Sequence, residues 1–525
     1  MSAATVAQAG VVPARRLSPA GWVALLLGAG YLVFLNPHLD FKSFNAHDPA
    51  TYLLGAQSMW RGDGYALRFA DAVQPMKLQP PGLAFLLAPV VGLFGINFVA
   101  LKLFMVLLAG LMAWAGFAFF RRFLSSTTQA GMATLLLLAS PVVFRLAHQV
   151  MAEIPLILCS TIALVHLDRY LRSPVRILSR PLVVAAAATA GGYFFKGVGL
   201  AVLLGGWLLL CHPRYRTRRV LNKLLWYTAL VAIPIALWQV RCSLTPSVGF
   251  HGKSMLEFYL RKDGYVDGSP LASLPDLLIR MRHNIVWGMA AGIAAAVVAP
   301  LHFMRNHPDV LACLLGLPVV CWLGWQWFTS CRTEPSVLEG FTFVGLTALL
   351  LYIHGYAERY LTLLYPALLV YAFRGFSTSL ADRWRELVPR MLIALSIAST
   401  VVAAVDQWRD PFGSDVVRDY VDAGQQAQAA FPPGSRCVAP MVSHWQVLTG
   451  HQCLADEASV GARAPVDYAL VLADPEAFRH HTLRDFHRDL VRAALSTTEA
   501  VTQQVQVTAT IYENRTFRLV RLGRS

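Results

Sequence analysis

The sequence contains few charged residues and lacks the motifs by which many soluble enzymes hold nucleotides or metals. Only 14% of its 525 residues are Asp, Glu, Lys or Arg, against about 25% in soluble domains. It has no Walker loop, no HExxH motif and no paired-cysteine zinc motif. These absences argue against an ordinary soluble protein and suggest no cytosolic nucleotide site. The energy for any synthesis must therefore arrive within the substrate.

Long apolar segments dominate instead and predict an α-helical polytopic membrane protein. Hydrophobic residues make up 56% of the chain, and the mean hydropathy is positive. A membrane helix needs about 20 apolar residues, so about 11–13 spans are expected, the short runs being ambiguous. The candidate segments are 20–36, 97–120, 129–147, 153–170, 181–195, 197–211, 222–241, 285–303, 309–328, 340–355, 359–376 and 389–405.

The distribution of the +15 net charge along the chain indicates its membrane topology. Short loops rich in Lys and Arg lie in the cytoplasm of membrane proteins. The loop at 37–81 carries balanced charge and is therefore expected outside, which argues against a nucleic-acid surface. The basic clusters are Arg121 and Arg122; Arg169, Arg172, Arg176 and Arg180; Arg214, Arg216, Arg218, Arg219 and Lys223; Arg383, Arg385 and Arg390.

Composition divides the chain into a cytoplasmic N-terminus at 1–19, a membrane domain at 20–405 and a soluble α/β domain at 406–525. Arg15 and Arg16 precede a span-length run without a small-residue cleavage site, so the first helix is expected to remain as an anchor. An external C-terminal domain is expected, which requires an odd number of spans. Its predicted strands are 436–441, 468–472, 501–507 and 516–522, and its predicted helices are 415–431 and 476–495.

Two side-chain groups in the C-terminal domain leave alternatives open. Cys437 and Cys453 could form a disulfide if the domain lies in an oxidising compartment, but the sequence does not show that they touch. A histidine-rich segment could bind a metal, although a solvated helix face is the simpler interpretation. Its residues are His480, His481, Asp485 and His487.

The loop at 37–81 is more elaborate than a tether between spans requires. It has an acidic residue, Asp48, followed by an amphipathic helix, a Gly62–Tyr65 turn and a Pro80-Pro81 pair. Asp48 could be a general base, or it could cap a helix that begins at Pro49. The two roles are compatible.

Three further ionisable residues lie at the ends of apolar runs, where charge is costly and often functional. Glu153 begins one run, although an acid there could simply be stabilised by the helix dipole. Lys196 could hold a phosphate or reach the membrane interface. Arg359 could likewise hold a phosphate or reach the membrane interface, and its neighbour Glu358 could pair with it. Arginine binds phosphate well because its planar fork bonds two oxygens.

In this order, the motifs resemble the type-C (GT-C) glycosyltransferases that use polyprenyl-phosphate sugars, especially the branch of protein O-mannosyltransferases and the lipid A aminoarabinose transferase. In that group an acid opens the first outer loop and a Pro-Pro pair closes it. The matching residues in this loop are Asp48, Tyr52, Gly62, Pro80, Pro81 and Phe94-Gly95. Later matches are Glu153, Lys196-Gly197, Arg359, Tyr360, Leu361 and Pro366, so the resemblance covers about residues 20–405.

The resemblance implies an inverting sugar transfer at the outer membrane face. Asp48 would be the general base, with Glu153 as a second catalytic acid. The donor phosphate would contact Lys196 and Arg359, with Lys77 as a further candidate. Tyr52, Tyr360, Pro80 and Pro81 would support the site. Two departures are Pro49, where many relatives have Glu, and Gln79, where relatives often have Lys.

The expected location is the inner membrane, with the active site on the external side. The acceptor could be lipid A, another envelope glycan or protein, and the sequence does not fix the sugar, the acceptor or the oligomeric state. Asp48 and Glu153 could share a divalent cation, yet several relatives work without one. The alternative function is a lipid-linked sugar flippase or transporter, although transporters tend to place ionisable groups near the membrane midplane.

Overall fold

The chain forms a helical body followed by a small C-terminal α/β domain, which confirms the predicted fold class. The structure, a computed structural model, describes residues 19–35, 37, 47–70, 72–174, 178–246, 255–262, 269–285, 290–304, 310–351, 358–410, 412, 414–454, 466–475, 486–504 and 506–522. The body helices are α1 (Pro19–Val33), α2 (His47–Trp60), α3 (Gly82–Phe94), α4 (Phe98–Phe123), α5 (Thr127–Leu138), α6 (Pro141–Ala147), α7 (Glu153–Arg172), α8 (Arg180–Phe195), α9 (Ala201–Leu208), α10 (Arg218–Leu244), α11 (Met255–Leu260), α12 (Leu274–Asn284), α13 (Ala290–Ala295), α14 (Val310–Thr333), α15 (Val337–Leu350), α16 (Glu358–Leu361), α17 (Tyr365–Ser379) and α18 (Asp382–Arg409). An antiparallel hairpin, β1 (Ala66–Arg68) and β2 (Val73–Pro75), follows α2.

Side-chain caps fix the starts of several body helices. At α4, the side-chain oxygen of Asn97 accepts hydrogen bonds from the backbone amides of Val99 and Ala100, at 3.0 and 3.1 Å. At α15, Ser336 and Glu339 form a reciprocal capping box. Such caps satisfy the first backbone donors of a helix, which have no partner within it.

The ends of the helices form two faces with different chemistry. On the first, which we call the basic face, Arg122 and Arg172 both pair with Asp168. Lys223 donates there to backbone carbonyls at the end of α7. Helix α7 runs from this face to Glu153 at the opposite end, which we call the site face. The predicted cytoplasmic arginines of these helices therefore lie opposite the loop that carries α2.

Four described helices are long and apolar enough to cross a membrane, namely α4, α7, α10 and α18. Helices α5 and α6 pass the same test together but bend by 62° between them, and counting them as one span gives five. Three described apolar segments are shorter, namely α3, Gly197–Cys211 and α15. The helices that meet both criteria among the described residues are therefore fewer than the 11–13 spans expected for the whole chain.

Helices α9 and α15 cross in direct backbone contact at two glycines. A Cβ atom added at Gly205 would lie 2.7 Å from the carbonyl carbon of Gly340, and one added at Gly340 would lie 2.9 Å from the carbonyl carbon of Gly205. Both distances are below ordinary van der Waals contact. Small residues commonly allow membrane helices to approach this closely.

Replacing Gly340 with alanine is expected to push α9 and α15 apart and lower the stability by about 1–3 kcal/mol, the usual cost of overpacking. Thermal unfolding in detergent, followed by tryptophan fluorescence, measures the effect. Gly324→Ala in α14 is the matched control, because no atom lies within 4 Å of its added Cβ. Equal melting temperatures for the two variants would contradict the close crossing.

The C-terminal domain is a five-stranded sheet with helices. Its helices are α19 (Asp415–Ala430), α20 (Val442–Thr449) and α21 (Phe486–Gln504), and its strands are β3 (Arg436–Val438), β4 (Gln452–Cys453), β5 (Tyr468–Leu472), β6 (Val507–Glu513) and β7 (Phe517–Leu522). The strand order is β4-β3-β5-β7-β6, with β3 parallel to β4 and β5, and β7 antiparallel to β5 and β6. In its core, the buried Trp445 indole donates to the Tyr468 hydroxyl at 2.9 Å.

The structure corrects several predicted boundaries. The predicted strand at 501–507 is wrong, because α21 continues to Gln504 and β6 begins only at Val507. The strand predicted at 436–441 ends at Val438, where the chain leads into the unpredicted helix α20. The strands predicted at 468–472 and 516–522 and the helix at 415–431 are confirmed. Helix α18 runs to Arg409, so the expected domain boundary at 405 falls inside a helix.

The C-terminal domain packs on the site face, against the loop that carries α2. The amide of Ala70 donates to the carbonyl oxygen of Cys453 at 2.8 Å, and the side-chain amide of Gln446 donates to the carbonyl oxygen of Arg68 at 3.1 Å. Phe98, at the start of α4, packs against the apolar core of the domain. The loop and the domain thus lie on one side of the body, opposite the basic face.

Candidate active site

The loop after α2 is folded and fixed to the body. Gly62 and Gly64 have φ values of 83° and 80°, a region that favours glycine, and they turn the chain into the β1–β2 hairpin. The predicted turn at 62–65 is therefore confirmed. Arg241, in the last turn of α10, donates to the carbonyl oxygens of Tyr65 and Met76. This clamp holds the loop against the body.

Asp48 lies in the first turn of α2 and bonds to two distant segments. Its Oδ2 pairs with Nη2 of Arg359 at 2.9 Å, and its Oδ1 accepts a hydrogen bond from Nε2 of Gln79 at 2.9 Å. The side chain remains 22% exposed. Helix α2 begins at His47, two residues before the start at Pro49 that the capping interpretation of Asp48 expects. The carboxylate is thus oriented by two donors and still accessible, as a general base requires.

Glu153 begins α7, and its carboxylate is almost completely buried. Its Oε1 accepts a hydrogen bond from Nζ of Lys196 at 2.5 Å and lies 3.8 Å from Nε of Arg359. The positive end of the helix dipole stabilises an acid at this position. Its Oε2 is also buried and has no hydrogen-bond partner among the described residues.

Lys196 reaches Glu153 because the chain breaks its helix at this residue. Helix α8 ends at Phe195, Lys196 is extended with φ −155° and ψ 139°, and a short 3-10 turn at Gly197–Leu200 leads into α9. A Cβ atom at Gly199 would lie 2.6 Å from the carbonyl oxygen of Gly192, so the return of the chain requires glycine. The break places an ammonium group where an unbroken apolar helix would have none.

One aromatic ring holds the two cations side by side. Nζ of Lys196 lies 4.6 Å, and Cζ of Arg359 lies 4.8 Å, from the centre of the Tyr360 ring. Nη2 of Arg359 also donates to the Tyr360 hydroxyl at 2.8 Å. Cation–π contacts of this kind favour a fixed cation position. We call Asp48, Glu153, Lys196 and Arg359 the charge cluster; its formal charges sum to zero.

Tyr52 stays neutral beside the charge cluster. Its side chain is buried one turn after Asp48 on α2. Burial, followed by the negative charges of Asp48 and Glu153, holds the pKa of Tyr52 well above its usual range, and Arg359 opposes this only in part. The hydroxyl therefore keeps its proton at neutral pH.

The remaining predicted site residues lie where the loop returns to the body. The Lys77 ammonium donates to the carbonyl oxygen of Thr245, just past α10. The carbonyl oxygen of Pro80 accepts a hydrogen bond from the Tyr65 hydroxyl at 3.4 Å, and Pro81 directly precedes α3. The structure thus brings the four cluster residues together and places Lys77 at the contact between the loop and α10.

An apolar cavity of about 300 Å³ lies where the loop returns to the body. It lies between the end of α2, the start of α3 and the end of α8, and Phe195, next to Lys196 in the chain, lines it. Its other lining residues are Met59, Pro81, Gly82, Phe85, Leu86, Gly191 and Phe194. The cavity could hold part of an apolar chain whose polar end lies near Lys196.

The sequence predicts neither the bond from Gln79 to Asp48 nor the Arg241 clamp. The available signal for Gln79 is its position immediately before the Pro-Pro pair that closes the loop. The signal for Arg241 is a cation in the last turn of a long apolar helix. Gln79 contacts the other end of its own loop and Arg241 contacts the loop from α10, and a linear pattern does not reveal such contacts.

The sequence leaves open two metal sites, one shared by Asp48 and Glu153 and one in the histidine-rich segment. Arg359 pairs with Asp48 and lies near Glu153, so a guanidinium stands where a shared divalent cation would bind. In the ranges that the structure describes, no three or more His, Cys, Asp or Glu side chains form a group that could hold a metal. His480, His481, Asp485 and the side chains of His487 and Glu358 lie outside the described residues.

Comparisons with known proteins agree with this architecture. The family model described as dolichyl-phosphate-mannose-protein mannosyltransferase matches residues 78–239, less than half of the chain. No curated protein matches by sequence. Among solved structures, ArnT from Cupriavidus metallidurans bound to undecaprenyl phosphate is similar, with a TM-score of 0.60 and 14% identity. That match covers 96% of this chain and 98% of the other.

Two further structures give the same result. The apo state of the same ArnT matches with a TM-score of 0.58 and 13% identity, over 95% of this chain and 98% of that one. A variant of the arabinofuranosyltransferase AftD from Mycobacteria matches with a TM-score of 0.50 and 12% identity, over 97% of this chain and 42% of that one. These similarities show that the chain has the GT-C fold of membrane glycosyltransferases.

Proposed function

We propose that the protein is an integral membrane glycosyltransferase that moves a sugar from a polyprenyl-phosphate donor to a hydroxyl acceptor at the site face. The charge cluster carries this proposal. It brings together two carboxylates, of which Asp48 is accessible, and two adjacent cations from four separate segments of the chain. A base and charge-stabilising cations are what a transfer from a phosphate-linked sugar needs.

The two cations would hold the donor phosphate. Arg359 can offer two N–H groups to two phosphate oxygens, and Lys196, which lies over the same Tyr360 ring, can add a third contact. The cavity beside Lys196 would take part of the prenyl chain. Lys77 is a further candidate for phosphate binding and would have to leave the carbonyl oxygen of Thr245 to reach it.

Asp48 would accept the proton of the acceptor hydroxyl. The hydroxyl oxygen then forms a bond to the anomeric carbon of the sugar as the bond from that carbon to the phosphate oxygen breaks. The electron pair of the broken bond leaves with the polyprenyl phosphate, where Lys196 and Arg359 stabilise it. A single displacement of this kind inverts the anomeric configuration. Glu153 would keep the cations in place through its contact with Lys196.

The site would face the external side of the inner membrane. The basic loops gather at the opposite face, around Arg122, Arg172 and Lys223, and basic loops normally remain in the cytoplasm. A polyprenyl-linked donor fits this location because it needs no nucleotide outside the cell. The acceptor would be lipid A, another envelope glycan or a protein.

The similar proteins support the donor class. The similar ArnT structure contains undecaprenyl phosphate, and the name of the matching family includes dolichyl-phosphate-mannose. Undecaprenyl phosphate and dolichyl phosphate are both lipid carriers with a polyprenyl-type chain and one phosphate. The matched family region, residues 78–239, includes Gln79, the Pro-Pro pair, Glu153 and Lys196.

A transfer assay tests the proposal against the flippase alternative. The purified protein is placed in vesicles made from envelope lipids and given polyprenyl-phosphate sugars with a radiolabelled sugar. A transferase releases free polyprenyl phosphate and moves the label to an acceptor. A flippase moves the intact labelled donor across the membrane without breaking the bond. Donor movement without cleavage, for every donor tested, would overturn the proposal.

Replacing Gln79 with leucine is expected to lower kcat about tenfold to a hundredfold and to leave the donor KM nearly unchanged. The bond from Gln79 orients the carboxylate of Asp48, and a hydrogen bond to a charged group is worth about 1.5–3 kcal/mol. Initial rates at saturating donor measure kcat. Gln74→Leu, in strand β2 of the same loop, is the matched control. Equal kcat values for the two variants would show that Gln79 does not position the base.

A further inference from the structure

We propose that Cys437 and Cys453 are joined by a disulfide in the folded protein. They face each other on neighbouring parallel strands, because the register of β3 and β4 pairs Cys437 directly with Cys453. Their Sγ atoms are 2.7 Å apart, and both side chains are completely buried. This inference rests on the external location proposed for the site face, but not on the sugar transfer itself.

The backbone geometry suits such a bond. Neighbouring strands lie about 4.7–4.9 Å apart, and the Cα atoms of disulfides usually lie about 4.4–6.8 Å apart. Helix α20 makes the crossover between the two strands, so the cysteines meet although 16 residues separate them. No rearrangement of the sheet is needed to join them.

The location of the domain favours oxidation. The domain follows α18, which begins near the cytoplasmic-type cluster Arg383–Arg390 and ends at the site face. It also contacts the loop that carries α2, opposite the basic face. By the positive-inside rule this side is not cytoplasmic, and disulfides form and persist in oxidising compartments.

The oxidation of the two thiols needs an electron acceptor. Burial, together with contact with Cys437, holds the pKa of the Cys453 thiol well above its usual range, and a protonated buried thiol does not react. Each thiol gives up one proton and one electron. A disulfide-bearing carrier protein takes up both electrons and both protons and leaves as a dithiol.

The disulfide would secure the strand through which the domain contacts the body. Strand β4 has only two residues and lies at the edge of the sheet. The carbonyl oxygen of Cys453 accepts the hydrogen bond from Ala70, in the loop that carries α2. A covalent link to β3 would keep this short strand in register, and with it the contact between the domain and the loop.

Peptide mass mapping of the wild-type protein tests the disulfide. Cells are lysed directly into denaturant with N-ethylmaleimide, so that every free thiol, including buried ones, is labelled before air can oxidise it. Trypsin cuts after Arg436 and Arg463 and nowhere between them, so one peptide, 437–463, contains both cysteines. Its mass therefore reports the state of the pair without interference from the six other cysteines.

We expect most of this peptide to carry no maleimide, to be two hydrogen atoms lighter than the dithiol form, and to accept two maleimides after reduction. The Cys453→Ser variant is the control, in which Cys437 should take up one maleimide. Two maleimides on the unreduced wild-type peptide would overturn the proposal. A bond from either cysteine to another peptide or to a small thiol would also overturn it.

Discussion

Changing Asp48 to asparagine is expected to reduce kcat by about a hundredfold to ten-thousandfold, the usual contribution of a general base, while donor binding persists. Asparagine has nearly the same shape and can still accept a hydrogen bond from Gln79 or Arg359, but it cannot take the proton of the acceptor hydroxyl. The loss should therefore appear in the chemical step. Single-turnover sugar transfer, measured beside the binding of a labelled donor, separates the two effects.

Asp63→Asn is the matched control for this experiment. Asp63 lies in the same loop and pairs with Arg68 at 3.0 Å on its surface, away from the charge cluster. The control should keep nearly full activity. If Asp48→Asn is as active as Asp63→Asn, Asp48 is not the base, and Glu153 becomes the next carboxylate to test.

The two carboxylates of the cluster differ in their surroundings, and this difference assigns their roles. Asp48 is 22% exposed, whereas the side chain of Glu153 is only 2% exposed. A base must meet an acceptor that arrives from outside, which favours Asp48. A buried carboxylate needs a permanent partner, and Glu153 has one in Lys196. From this difference in burial we propose Asp48 as the reacting group and Glu153 as the positioning group.

The sequence predicts three members of the charge cluster, Glu153, Lys196 and Arg359, because each is an ionisable residue at the end of an apolar run. Such residues are costly in a membrane protein, so they stand out against the surrounding composition. The sequence predicts Asp48 because this acid opens an unusually elaborate loop. Asp48, Glu153, Lys196 and Arg359 were identified from these patterns and the family resemblance, and the structure brings all four into one network.

The pairing within the cluster could not be read from the sequence. The bond between Gln79 and Asp48 and the ion pair between Arg359 and Asp48 depend on how the loop and α16 pack on the body. Lys77 shows the same limit. It lies close to Gln79 in the chain, but its ammonium group donates to the carbonyl oxygen of Thr245, just past α10. The sequence predicts a cation in the loop at 37–81, but tertiary packing decides which group the side chain of Lys77 contacts.

The errors in the C-terminal domain have a local cause. The segment at 501–507 is rich in valine, which favours a strand when propensity alone is considered. In the structure, Leu490, Ala494, Thr497 and Val501 are buried at helical spacing along α21, so the packing of one helix face decides the conformation. Strand β6 begins only after this helix has ended, at Val507.

Changing Lys196 to methionine is expected to weaken donor binding by at least about thirtyfold, since truncating one partner of a buried charge contact costs about 2–5 kcal/mol. The same change leaves Glu153 buried without its closest cation, which should lower the stability by about 3–5 kcal/mol. Binding of a labelled donor in detergent gives the first quantity, and thermal unfolding gives the ranking of stability.

The double variant Lys196→Met with Glu153→Gln separates the two effects. Removing both charges eliminates the unpaired carboxylate, so most of the lost stability should return. Donor binding should stay weak, because the phosphate still lacks its cation, and Glu153→Gln alone should bind the donor nearly as well as the wild type. If donor binding recovers together with stability in the double variant, Lys196 serves only to neutralise Glu153, and Arg359 must hold the phosphate without it.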